Sequence, residues 1–141
     1  MSKAVLISIR PKWCDLILSG KKSIEVRKTR PKLETPFKCF IYCTKPKWEF
    51  EDFLVPEGYG TYGFFGGGKV IGEFVCDFMF HASLHLVAGT CLTDEEIMKY
   101  LGNGKTGYGW HISELKIFDE PKQLSEFSFT RPPQSWCYVE D

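Results

Sequence analysis

The sequence predicts an α+β domain: a small barrel-like sheet of about five or six strands, flanked by two or three short helices. Three observations predict it. Several short stretches alternate apolar and polar residues, the two-residue period of a strand. Only short stretches carry the wider helical spacing, and each ends at a helix stop. Strands and helices do not alternate along the chain, which argues against a doubly wound parallel sheet.

The elements follow in order. Residues 4–10, Ala-Val-Leu-Ile-Ser-Ile-Arg, read as a β-branched strand. Pro11 suits the first turn of a helix. Trp13, Leu16 and Ile17 share one helical face, and Gly20 stands where a left-handed cap is wanted, so a short helix is expected over 11–19. Residues 23–28 alternate, with Ile24 and Val26 toward the core and Ser23, Glu25 and Arg27 on the opposite face. In 37–44 the same rule puts Phe37, Cys39, Ile41 and Cys43 on one side. A long strand is expected over 69–80, with Val70, Phe74, Cys76, Phe78 and Phe80 on one side and Glu73 and Asp77 on the other. Thr93-Asp94-Glu95-Glu96 is a capping box that opens a helix carrying Ile97 and Leu101 and ending at Gly102. Residues 107–118 read as a strand, Pro121 to Phe127 as a short turn or helix, 131–134 as a turn, and Trp136–Val139 as a last strand. The stretch 45–68 is long for a loop without structure. It sets seven aromatic rings among six glycines and reads as a flap, with a helical turn expected around Trp48–Leu54.

The chain has 141 residues, the size of one domain with one core, and no linker divides it. No apolar run approaches the roughly 20 residues of a membrane span. The N-terminal apolar stretch is too short for a signal peptide, so a cytosolic location is expected. The six cysteines include no CxxC pair and are expected to be reduced. Net charge is zero but unevenly spread. Residues 1–50 hold 12 basic and 4 acidic side chains, whereas 51–141 hold 6 and 14. A basic face of this kind attracts phosphate. If the halves interleave in the fold, the same charges simply pair.

The segment Ile7-Ser8-Ile9-Arg10-Pro11-Lys12, continued by Ile17-Leu18-Ser19-Gly20-Lys21-Lys22-Ser23-Ile24-Glu25-Val26-Arg27, resembles the signature of ASCH domains. Gly107-Tyr108-Gly109-Trp110-His111-Ile112 and the residues on to Phe127 are similar to versions found in phage and prophage genes. The resemblance spans most of the chain apart from 45–68. It implies a PUA-like β-barrel with a cleft beside the first helix, and it implies RNA binding. Some similar small ASCH proteins are amidohydrolases that deacetylate acetylated cytidine with a lysine, a threonine and a glutamate. Lys22 matches the lysine. Glu25 occupies the threonine's place, a departure that argues against that activity. The glutamate would come from the helix at 93–101, as Glu95 or Glu96.

The residues themselves leave several roles open. Lys21 and Lys22 follow a helix end, where they complement its dipole, bind phosphate or, if buried beside another cation, supply a reactive amine. Arg27 forks onto phosphate or carboxylate with Glu25 orienting it, or the two make surface ion pairs. Arg10 and Lys12 join the same patch. Trp110 stacks on a base or fills the core. His111 suits acid–base work but has no partner legible in the sequence. Gln134, in a turn rigidified by Pro132 and Pro133, reads a base edge or merely closes the barrel. His81 and His85 with Cys76 and Cys91 match no zinc spacing. No cofactor and no metal are expected.

The leading expectation is therefore a module that binds RNA or a nucleotide-like ligand through Arg10, Lys21, Lys22, Arg27, Trp110 and Gln134. The alternatives are a small nucleoside or RNA hydrolase, amidohydrolase-like or ribonuclease-like, with Lys22 as base or nucleophile and Glu25 its partner, and a protein-interaction module built on the flap. Oligomeric state is not legible.

Overall fold

A computed structural model describes residues 3–45, 67–82, 89–102 and 107–141. Most of the flap, the helical turn expected around Trp48–Leu54, and His85 lie outside them. Six strands form one mixed sheet: β1 (Lys3–Ile9), β2 (Ile24–Arg27), β3 (Phe37–Cys43), β4 (Lys69–Ala82), β5 (Gly107–Lys122) and β6 (Trp136–Glu140). Their order is β2-β5-β4-β3-β1-β6. Helix α1 (Pro11–Leu18), helix α2 (Asp94–Leu101) and a 3-10 turn (Leu124–Phe127) flank the sheet. The class is the expected α+β one, with the barrel left open along one seam. Among the described residues no helix is long and apolar enough to cross a membrane.

Among the described residues β1 and β3 form the one parallel pair, and the other ladders are antiparallel. A parallel pair needs a crossover. α1 and β2 supply it, which brings the 20–27 segment beside the sheet's other edge. The near-continuous apolar run of β1 follows from burial on both faces. Val5, Ile7 and Ile9 join Phe37, Cys39, Ile41 and Cys43 of β3 in the main core, beneath Cys14 and Ile17 of α1. Ala4 and Leu6 face the other way, with Phe40, Tyr42 and Val70, under the rings of Phe127 and Phe129. α2 docks separately, through Ile97 and Leu101 against Val26. Its capping box forms as the sequence indicates: Glu96 N–H donates to Thr93 Oγ1, and Thr93 N–H donates to Glu96 Oε1, each at 3.1 Å.

β4 departs from the strict alternation read in the sequence. Its pairing with β5 is interrupted between Val70 and Gly72, Glu73 and Val75, and Cys76 and Met79. The first two place the extra residues in β5; the last inserts one into β4, where Cys76 to Met79 spans three steps against two in β5. Against β3, Gly72 and Val70 pair with the adjacent Ile41 and Tyr42, so β4 holds another extra residue there and Val70 lies in a different cluster from Phe74 and Cys76. Phe78, expected on the same side as Phe74 and Cys76, is 46% exposed. It stacks on His111, with ring centroids 4.5 Å apart, while His111 Nδ1 lies 2.7 Å from Asp77 Oδ1.

No ladder joins the two edge strands, β2 and β6. Side chains lace them instead. Arg27 of β2 donates from Nη2 to Ser8 O of β1 at 2.7 Å. From Nη1 it donates to Ser135 O at 3.2 Å and Ser135 Oγ at 3.1 Å, just ahead of β6. Beyond β2, Trp136 Nε1–H donates to Thr29 Oγ1 at 3.0 Å, and Lys32 N–H to the Tyr138 hydroxyl at 2.7 Å.

Candidate functional site

The laced seam forms the floor of a cleft of about 830 Å³. That lies within the ~300–1,000 Å³ usual for small-ligand sites. Four pieces of chain wall it: the start of α1 with Arg10 and Trp13, the end of β3 with Thr44 and Lys45, α2 with Glu96, Lys99 and Tyr100, and the 132–135 turn with Gln134. Lys22, Glu25, Val26 and Arg27 lie at its base together with Ser8 and Ser135.

The end of α1 explains how Lys22 comes to be inside. Gly20 has φ +80°, a conformation that costs an L side chain strain but glycine nothing. The reversal lets the N–H groups of both Lys21 and Lys22 donate to Leu16 O at 3.0 Å. Lys21 then points outward and does not line the cleft. Lys22 turns inward and is 2% exposed. Its Nζ donates to Thr90 O, lies 3.3 Å from Glu25 Oε1, and sits over the Trp13 ring at 5.1 Å.

Glu25 bridges the two buried cations. One oxygen faces Lys22, and the other accepts from Arg27 Nη2 at 2.6 Å and Nε at 3.1 Å. Burial pushes the Glu25 carboxyl up, but the Arg27 guanidinium and then the Lys22 ammonium more than offset it, so the group ends below the usual carboxylate range. Glu25 is therefore an anion between two cations, and the set keeps one net positive charge. Among the described residues the lining carries Arg10, Lys22, Arg27, Lys45 and Lys99 with Glu25 and Glu96, five basic side chains to two acidic ones.

The other expected site residues fall as follows. Arg10 and Gln134 are exposed and line the cleft. Glu96 lines it as well, already tied to the cap of α2, and Glu95 does not line it. Trp110 is wholly buried in the main core, edge-on to Phe37 and Trp136, so it offers no face to a ligand. The strand parity that separates Trp110 from His111 is correct. It cannot say which of the two faces the sheet covers.

Among the described residues, the exposed ring in the cleft is Tyr100, 40% exposed. Burial raises its phenol, with Arg27 opposing and Glu25 adding to the rise, so the hydroxyl stays protonated near the buried set. Its position off the Ile97/Leu101 stripe of α2 marks it as outward-facing in the sequence. Nothing there shows that outward means into the cleft. His81 is exposed and tilts against Tyr108, and among the described residues no three metal-ligating side chains gather. The six cysteines are free thiols, four of them buried.

No family model and no curated protein matches the chain. Solved structures do. ASCH from Zymomonas mobilis superposes with a TM-score of 0.72 at 18% identity, over 98% of this chain and 88% of that one. Two mutant forms of the same protein give TM-scores of 0.73 and 0.71 at 17% identity, covering 99% and 98% of this chain and 92% and 89% of theirs. The chain therefore has the PUA-like α+β fold of an ASCH protein.

Proposed function

We propose that this ASCH-type domain binds single-stranded RNA or a nucleotide-like ligand in the cleft between α1, α2 and the 132–135 turn. One observation carries the reading: a nucleotide-sized cleft whose described lining holds five basic side chains and two acidic ones, floored by the buried Lys22–Glu25–Arg27 set. Arg10, Lys45 and Lys99 are exposed at the lining and take phosphates. Lys22 and Arg27 are held by their protein partners and keep the floor positive rather than reaching for the ligand. Three phosphate contacts give a slope of roughly −2 for log affinity against log salt on a single strand. The test is fluorescence anisotropy of a labelled single-stranded RNA at several salt concentrations, with Arg10→Ala/Lys99→Ala as the comparison. The slope should flatten by roughly 1.4 in that variant. Absence of binding at low salt, or a variant that binds like the parent, refutes the proposal.

A second reading, a small hydrolase of nucleosides or RNA, draws on the same Lys22–Glu25 contact. The geometry favours it less. Lys22 Nζ faces two acceptors and so serves as a donor, and both Glu25 oxygens are spent on cations. A threonine at position 25 is too short to reach both cations, so the departure from the amidohydrolase pattern is what creates the bridge. Lys22→Ala abolishing turnover of an acetylated cytidine or an RNA, with the fold intact, would establish the hydrolase.

A further inference from the structure

We propose that Gln134 reads the edge of an unpaired nucleobase in this cleft, that Tyr100 stacks on the base, and that Arg27 positions Gln134 rather than touching the ligand; the inference rests on the cleft being a nucleotide site. The 132–135 turn is fixed on both sides of Gln134. Pro133 O accepts from Ser8 Oγ at 2.7 Å. Ser135 O accepts from Ser8 N–H at 2.9 Å and from Arg27 Nη1, which also reaches Ser135 Oγ. Pro132 and Pro133 lock their own φ angles and bring no N–H to satisfy. The flanking carbonyls are thus consumed by the protein, and the guanidinium that consumes one of them is anchored at its other end by Glu25 and Ser8 O.

Gln134 alone in this turn presents a side-chain amide to the cleft. Among the described residues that amide is engaged by no hydrogen bond, so a ligand meets it without breaking an internal contact. A carboxamide offers a donor and an acceptor side by side. It pairs with a base edge that presents an acceptor beside a donor, and the Watson–Crick edge of an unpaired base is one. The backbone on each side is pinned, so less freedom is lost when the pair forms. Tyr100 supplies the other half of recognition. Among the described residues its ring is the exposed aromatic of the lining, and stacking serves any base, whereas the amide discriminates among them.

The test uses labelled RNA octamers of A, of C and of U, of which C and U share one ring size and differ in base edge, against the full chain and against Gln134→Ala, Gln134→Glu and Tyr100→Ala. The parent should favour one oligomer over the poorest by roughly five-fold or more. Gln134→Ala should bring that ratio close to one while the salt slope stays unchanged, because no phosphate contact is lost. Gln134→Glu, which keeps size but only accepts, should shift preference toward A and C, whose edges carry an amino group. Tyr100→Ala should weaken all three alike, by roughly five-fold or more. A parent that binds all three equally, or a Gln134→Ala variant that keeps the parental preference, overturns the inference and leaves the cleft reading standing. Failure of the parent to bind any octamer at low salt removes the cleft reading and this inference with it. Gln134 and Tyr100 are both exposed, so neither substitution threatens the fold.

Discussion

Replacing Glu25 with glutamine tests the central electrostatic claim about the cleft floor. Glu25 is 6% exposed and meets Lys22 at 3.3 Å and Arg27 at 2.6 Å. Glutamine keeps the volume and one acceptor oxygen but removes the charge. Two buried cations then face one another without a counter-ion. Breaking a buried ion pair from one side costs about 3–5 kcal/mol. For a domain of this size that corresponds to a fall in melting temperature of roughly 10–20 °C. The sign of the pH dependence follows from the same contacts. The Glu25 carboxyl lies lower in the folded chain than in the unfolded one, whose value is near 4.5. Its contribution is therefore complete above that value and is lost as pH falls through the folded-state value. Thermal and urea melts at pH 7 should show Glu25→Gln well below the parent, and the gap should close in acid, where the parent's carboxyl becomes neutral too. Adding Lys22→Met to Glu25→Gln removes one stranded cation and should recover part of the loss. Equal stability of parent and Glu25→Gln at pH 7, or a gap independent of pH down to about 3, would refute the reasoning.

Three further outcomes are expected. A Cβ at Gly72 would lie 2.5 Å from the Lys116 carbonyl oxygen, so Gly72→Ala pushes β4 from β5 and should cost about 3 kcal/mol, the upper end for overpacking, by urea denaturation. Thr93→Ala removes the hydroxyl that caps α2 and should lower stability by about 1 kcal/mol, read from the same midpoint. Trp110→Phe should lose less than the ~3–5 kcal/mol of a truncation to alanine and leave RNA affinity unchanged, because the ring packs in the core and meets no ligand.

The parts of the fold legible in the sequence are those set by short-range rules. The helix stop at Gly20, the capping box at Thr93 and the alternation of β3 depend on neighbours within a few residues, and the structure shows each. Parity along β2 also places Glu25 and Arg27 on one side, and the turn at Gly20 delivers Lys22 to them. What the sequence does not carry is how far the sheet curls. That curl makes the side shared by Glu25 and Arg27 a buried floor instead of a solvated surface. It also brings in Ser8, Ser135, Lys99 and Tyr100, from elements up to 108 residues away from Arg27. The errors have equally physical origins. An extra residue in β4 between Cys76 and Met79 exposes Phe78, and coverage of one sheet face hides Trp110.

The lacing of β2 to β6 by Arg27 has a kinetic side. Those contacts join residues 108 apart, and closing so long a loop is slow and comes after the local hairpins. The seam should close late during folding and, in the native state, open before the rest of the sheet unravels, so its flanking amides should exchange with deuterium ahead of those in β3 and β4. Because the seam is also the cleft floor, any occupant of the cleft should slow that exchange in proportion to its occupancy. Amide exchange across β2 and β6 thus becomes a way to find the ligand without knowing its chemistry beforehand.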